Sequence, residues 1–306
     1  MVGETARGSD FSALAQCSLA WDDFAFRQVF GKEKNKDILI HFLNDVLDHS
    51  HIGQIVEVHF LERVRDPEIA AKKQSIVDVG CKDQAGREYI IEMQVAKHPG
   101  FEKRAQYYAA HAYSRQLLPA EQYDQLKEVI FIAITDYVVF PEKAGIKSDH
   151  LILDKESKEH DLKDLYFTFI ELPKFSKSSS ELEAGLDYWC YYLKHAAETK
   201  PADYDRLIAN SPIIKRAYQA LDQYYWSEAE LNTYQQWVKA ERDSKGIERQ
   251  KLLDAEAKGM EKGIEKGIEK RNIEIAKSML KKGLDLALIC EMTGLSQAQI
   301  KQVQES

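Results

Sequence analysis

Asp78 and Glu92 each stand in the middle of a short apolar run, and they are the residues in this chain best placed to do chemistry. The runs are Ser75-Ile-Val-Asp-Val-Gly-Cys-Lys82 and Tyr89-Ile-Ile-Glu-Met-Gln-Val95, with a turn at Ala85-Gly86 between them. Side chains alternate along a strand, so Asp78 shares a face with Ile76 and Gly80, and Glu92 shares one with Gln94. A hairpin symmetric about Ala85, with Gly86 as the left-handed turn residue, pairs residues whose numbers sum to 170 and sets Asp78 opposite Glu92. Cross-strand Cβ atoms lie roughly 5 Å apart, where two carboxylates repel by about 3 kcal/mol at an effective dielectric of about 20. A positive group has to offset that repulsion. A hard divalent cation such as Mg²⁺ accepts carboxylate and carbonyl oxygens and keeps water for chemistry. The alternative is a pair of solvent-facing carboxylates bridged by Lys73, Lys82 or Arg87.

The elements that must position this pair are readable from periodicity. Residues 21–30 and 38–47 repeat apolar side chains at three and four, which predicts two helices separated at Gly31. Residues 55–64 alternate as a strand, and the acidic hairpin supplies two more. Residues 101–118 are helical up to Pro119, and 128–140 are nearly all apolar, as in a central strand covered on both faces. Another strand runs over 165–172, closed by Pro173. The resulting order is helix, three strands, helix, strand. On the helix after the hairpin, Arg104, Tyr107, Tyr108, His111 and Arg115 fall on one face and Ala105, Ala109 and Ala112 on the other. The alanine side is expected on the sheet. The basic aromatic side suits a phosphate backbone, with an ordinary solvated face as the competing reading.

Beyond a serine-rich break at 176–180, helices are expected over 181–200 and 213–225, packed on the sheet. From Glu228 the chain is charged and helical, and Gly259, Gly263 and Gly267 recur in a Gly-Ile-Glu-Lys repeat. Each interior glycine costs a helix about 1 kcal/mol, so the stripe implies either a close neighbour, most simply a second copy, or a solvated, frayed linker. Residues 284–303 read helix, turn, helix around Met292-Thr-Gly-Leu-Ser296, with Ser296 able to cap the second helix. Gln297, Gln299, Lys301 and Gln302 are its polar reach. A plain helical hairpin and a DNA-reading helix-turn-helix both fit.

Composition narrows the class. The chain has 306 residues, 44% hydrophobic, enough for a sizeable core without staples. Four scattered cysteines (Cys17, Cys81, Cys190, Cys290) contain no C-x-x-C pair, which argues against a disulfide framework or a zinc site and fits a reducing cytoplasm. No apolar run nears the roughly 20 residues needed to span a bilayer, and residues 1–19 read as a loosely ordered lead-in without a signal-peptide core. The net charge of −8 is uneven: 239–282 carry 13 Lys or Arg against 9 Asp or Glu, whereas 1–238 carry 28 against 38. DNA contact by the core would therefore need a local basic face plus metal rather than a global field.

Asp23-Phe-Ala-Phe-Arg-Gln-Val-Phe-Gly31, the stretch from Lys73 to Asp78, Ile91-Glu-Met-Gln94, Arg104-Ala-Gln-Tyr-Tyr108 and Glu171-Leu-Pro-Lys-Phe175 together resemble the recombination-promoting nuclease/transposase (Rpn) family of the PD-(D/E)XK nuclease superfamily. The resemblance covers residues 20–175. It implies an α/β fold with a PD-(D/E)XK-like αβββαβ core and mixed sheet; the residue pattern adds a helical region (176–238), a charged helical tail (239–282) and a C-terminal helical hairpin (283–306). It implies an Mg²⁺-dependent DNA endonuclease, with Mn²⁺ as a possible substitute, associated with recombination or mobile elements. Asp78 and Glu92 take the positions of the metal ligands. Gln94 stands where the superfamily usually has lysine; a neutral amide can position water but adds no positive charge, so a second metal, Lys73 or Lys97 would have to compensate. Asp23 matches an acid of the family's first helix, either as a further ligand or as a residue favoured by the helix dipole. Arg104, Tyr107, Tyr108 and Arg115 are the expected DNA contacts. DNA and a second copy bound through the tail are the expected partners. The rival expectation is a nuclease-derived assembly protein that acts through its helical tail.

Overall fold

A computed structural model describes residues 23–47, 52–61, 78–117, 122–222 and 226–305. Lys73 and the lead-in 1–19 lie outside the described residues. The chain divides into two compact units, Met1–Asn232 and Thr233–Ser306.

The first unit is built on a six-stranded mixed sheet. Its strands are β1 (Val58–Phe60), β2 (Val79–Asp83), β3 (Glu88–Gln94), β4 (Val129–Thr135), β5 (Lys147–Ile152) and β6 (Leu162–Glu171), in the order β1-β2-β3-β4-β6-β5. The β3/β4 and β4/β6 pairs are parallel and the remainder antiparallel. Helices α1 (Asp23–Phe30) and α2 (Lys36–Val46) precede the sheet, and α3 (Phe101–Ser114) connects β3 to β4. The expected αβββαβ order is therefore present, with β6 and β5 added beside β4.

β4 is buried along its whole length and β3 along all but Gln94, because both faces are covered. One face, including Val79, Ile91, Met93 and Ile132, packs on α1, α2 and the helices that follow the sheet, α4 (Gly185–His195) and α6 (Pro212–Leu221). Phe30, Phe42 and Trp189 join these helices through ring contacts of 5.0 and 5.5 Å, and Trp189 Nε1 donates to Asp45 at 2.7 Å. The opposite face, with Ile90, Phe131, Ala133 and Phe169, receives α3 through Phe101, Ala105, Ala109 and Ala112.

Several expectations are corrected. The strand over 55–64 is only three residues long within the described chain: Asn44 clamps the Ile55 backbone, donating to its carbonyl at 2.7 Å and accepting its N–H at 2.9 Å, while Gln84 does the same for Gln54 and Val56. Side-chain amides thus satisfy backbone groups that a longer ladder would have used. The helix over 181–200 is shorter, α4, and a separate helix α5 (Pro201–Asn210) follows; Pro201 and Pro212 open α5 and α6 at positions where a missing N–H costs nothing. The edge strand β5 was not expected at all.

In the second unit, the long helix α7 (Glu228–Lys281, which begins in the first unit) leads to α8 (Leu286–Thr293) and α9 (Gln297–Glu305). The last turns of α7 contribute Ile273, Ala276, Met279 and Leu280 to a small core with Ile289, Leu295 and Ile300. Gly294, at φ +69°, closes α8 in the left-handed conformation that glycine adopts most easily. Ser296 caps α9 as its spacing foretells: Ser296 Oγ accepts the Gln299 N–H at 3.3 Å and Gln299 Oε1 accepts the Ser296 N–H at 2.9 Å. Among the described residues no helix is long and apolar enough to cross a membrane.

Candidate active site at the ends of β2 and β3

The hairpin has the predicted register. Val79 pairs with Ile91 and Gly80 with Ile90, and Gly86 adopts φ +84°. Asp78 immediately precedes β2, one step beyond the Val79–Ile91 pair. Its Oδ2 accepts the backbone N–H of Met93 at 2.9 Å, which ties Asp78 to the strand that carries Glu92. Glu92 is 6% exposed, and its Oε1 accepts from Gln94 Nε2 at 3.0 Å. Gln94, Thr135 and Glu171 stand in register across β3, β4 and β6. The acidic group therefore sits at the carboxyl end of the parallel strands, where open α/β sheets bind ligands.

The positive charge that the two carboxylates require comes from arginines on different helices. Arg27 of α1 reaches Asp78 Oδ1 at 3.0 Å, and Arg104 of α3 reaches Glu92 Oε1 at 2.8 Å. Neither Lys82 nor Arg87 serves here; Arg87 instead pairs with Asp83 at 2.7 Å. Sequence reasoning missed Arg27 as a partner of Asp78. Its signal was present: it is the only basic residue of α1, between Phe26 and Gln28, which are both buried. The burial of Phe26, Val29 and Phe30 against the sheet fixes the helix and so aims Arg27.

Aromatic side chains wall the Glu92 end. The Arg104 guanidinium lies 5.0 Å from the Phe101 ring centroid. Burial, then the charge of Glu92, pushes the Tyr108 hydroxyl above its ordinary range; burial also raises Tyr137, against the pull of Arg104. Tyr108 corrects the expected face of α3, since it is buried with the alanines rather than exposed beside Tyr107. At 100° per residue it lies about 60° from Ala105, on the border of the apolar stripe, and its ring is large enough to complete that stripe. Tyr107 is exposed and stacks on His111, Arg115 is exposed, and Arg104 is half-buried by its ion pair. Asp23 is the first residue of α1, but its side chain is outside those described.

Glu171 and Lys174 of the Glu171–Phe175 motif form a separate buried lock. Glu171 accepts the N–H groups of Val139 and Phe140 at 2.6 and 2.9 Å and pairs with Lys174 at 2.6 Å, while Lys174 also donates to the Phe140 carbonyl. This holds the loop after β4 against the end of β6.

For a metal, the carboxylate donors at this end of the sheet are Asp78 and Glu92, on neighbouring strand ends. No group of three His, Cys, Asp or Glu side chains assembles among the described residues. An all-oxygen set suits Mg²⁺ or Mn²⁺, which complete their coordination with water. It fits such an ion in donor type, on condition that the arginines yield the carboxylate oxygens they now hold.

Residues 20–250 match the family described as PD-(D/E)XK nuclease family transposase, and residues 269–305 match the Rpn/YhgA-like nuclease family, C-terminal HTH domain. No curated protein and no solved structure gives a significant match.

Proposed function

Because this chain belongs to the PD-(D/E)XK nuclease transposase family and carries an Rpn-type C-terminal helix-turn-helix domain, we propose that it is a divalent-metal-dependent DNA endonuclease of recombination or mobile elements. The observation that carries this reading is the tie between Asp78 and Met93 beside Glu92 and Gln94, which gathers two carboxylates and an amide at one end of the sheet. Asp78 and Glu92 would hold Mg²⁺ or Mn²⁺. The ion supplies Lewis acidity toward a phosphodiester oxygen and lowers the pKa of water. Gln94 orients Glu92 through its amide and can hold water by hydrogen bonding, without the positive charge that a lysine would add. Arg115 and Tyr107, exposed on α3, present a basic and an aromatic group to a phosphate backbone, and Gln297, Lys301 and Gln302 of α9 give the helix-turn-helix its contacts with DNA. Buried free thiols at Cys81 and Cys190 suit a reducing cytoplasm.

The test is nicking of supercoiled DNA with Mg²⁺ present or chelated, and with Asp78→Ala as control. Cleavage that needs both the metal and Asp78 is the expected result; cleavage by the alanine variant at the parental rate rejects the site.

A second reading, a nuclease-derived assembly protein of weak activity, is favoured by Gln94 and by the exposed apolar residues Met260, Ile264 and Ile268 of α7. These lie beside the open backbone of Gly259, Gly263 and Gly267, where an added Cβ would meet nothing. Both readings include self-association through this segment. Light scattering should report a dimer or larger for the full chain and a monomer once residues 245–306 are removed; a monomeric full chain removes the tail from this role.

A further inference from the structure

The two arginines at the acidic site differ from the arginine at the other end of the same hairpin. Arg87 is 14% exposed, and its partner Asp83 is fully buried with three further donors from the chain, so Arg87 cannot leave without stranding a buried charge. Arg104 is 30% exposed and holds Glu92 through a single Nη2 contact. Its buried Nε has no hydrogen-bond partner among the described residues. Its other support is the face of the Phe101 ring, which a guanidinium can slide across. On α3 it shares a helical face with the exposed Tyr107 and Arg115.

We infer that Arg104 is a displaceable counter-ion: it neutralises Glu92 while no divalent cation is bound, and when a cation takes Glu92 the freed guanidinium turns to a DNA phosphate. The inference rests on the proposal that Asp78 and Glu92 hold a metal. A divalent cation on either oxygen of Glu92 would lie beside the Arg104 guanidinium that holds Oε1, and two cations that close at so buried a site repel, so the metal and Arg104 compete for Glu92. A phosphate that engages Arg104 relieves the competition. Metal and DNA therefore strengthen each other's binding, and by linkage each does so by the same factor. The role is one of positioning and coupling, distinct from contact with the reacting atoms.

Calorimetric titration of Ca²⁺ into the full chain, with and without a short fluorescein-labelled duplex, tests this together with duplex binding at fixed Ca²⁺. In Arg104→Gln, Ca²⁺ alone should bind about fivefold tighter than in the parent, the equivalent of losing one modest ion pair, and the mutual enhancement between Ca²⁺ and duplex should disappear. Arg104→Lys keeps the charge and should restore the parental Ca²⁺ affinity; circular dichroism verifies that both variants are folded. Parental chain that binds Ca²⁺ beside an Arg104→Gln variant that binds it no tighter overturns the counter-ion role and leaves the metal site standing. Lysine and glutamine variants that behave alike also overturn it. Parental chain that binds no Ca²⁺, like Asp78→Asn, overturns the metal site and the inference together.

Discussion

The two ends of the β2–β3 hairpin each bury a carboxylate beside an arginine, yet they are assembled in opposite ways. At the turn, Asp83 accepts from the N–H of Ala85, the N–H and Nε of Arg87 and the hydroxyl of Tyr89, all within six residues. At the open end, Asp78 depends on Arg27, 51 positions away, and Glu92 on Arg104, 12 positions away on a different helix. A carboxylate saturated by its own turn is a structural device, since nothing can enter without breaking the hairpin. A carboxylate held by side chains from separate helices can exchange partners without unfolding anything. Burial and ion pairing alone do not separate the two; the origin of the donors does.

The largest contrast is expected between Asp78 and Asp83. Asp78→Asn keeps the acceptor for Met93 but loses the charge that would hold a metal, so nicking should fall by more than about a hundredfold, while the retained Met93 bond keeps the loss in urea unfolding smaller than that of Asp83→Ala. Asp83→Ala strands Arg87 and frees the turn; it should cost about 3–5 kcal/mol in the same unfolding experiment. Equal stability losses from both would erase the distinction. Next in size is Gln94→Lys, which adds a cation at the open end only: cleavage should persist and rise by up to about tenfold. Complete loss of cleavage in a folded variant would mean that the amide bond to Glu92 is itself required.

The smallest effect concerns Glu88, between the two ends. Burial raises its pKa above 4.5, with Lys82 and Arg115 pulling partly back. The folded state thus favours the protonated form, and its contribution to stability is complete below pH 4.5 and is lost as pH rises through the folded value. Glu88→Gln should remove this pH dependence and stabilise the chain at pH 7, with no gain below pH 4.5. Unfolding curves of the two proteins that stay parallel from pH 4 to 8 would contradict it.

The hairpin was legible because its information is local: alternation, one glycine able to take φ +84° and a symmetric turn determine its register. The order of strands around α3 was legible for the same reason, since β3 and β4 are covered on both faces and read as apolar runs. Arg27 was missed as a counter-charge because no spacing rule connects α1 to the start of β2; that contact exists only after both pack on the sheet. β5 escaped because an edge strand buries little, and Leu151 and Ile152 alternate with nothing that marks a buried face. Tyr108 was put on the outer face because it lies on a boundary where angle alone does not decide and ring size does.

Ile273, Ala276, Met279 and Leu280 serve two masters, as the end of a long helix and as one wall of the small core beneath α8 and α9. This has a practical meaning for anyone who wishes to graft the C-terminal module onto another protein. The visible break at Gly283 is the wrong place to cut, because a piece that begins there carries Ile289, Leu295 and Ile300 with no wall to close on. The transferable cassette begins near residue 269, inside an unbroken helix, so its natural fusion joint is a continuous helical splice in phase with the host helix rather than a flexible linker.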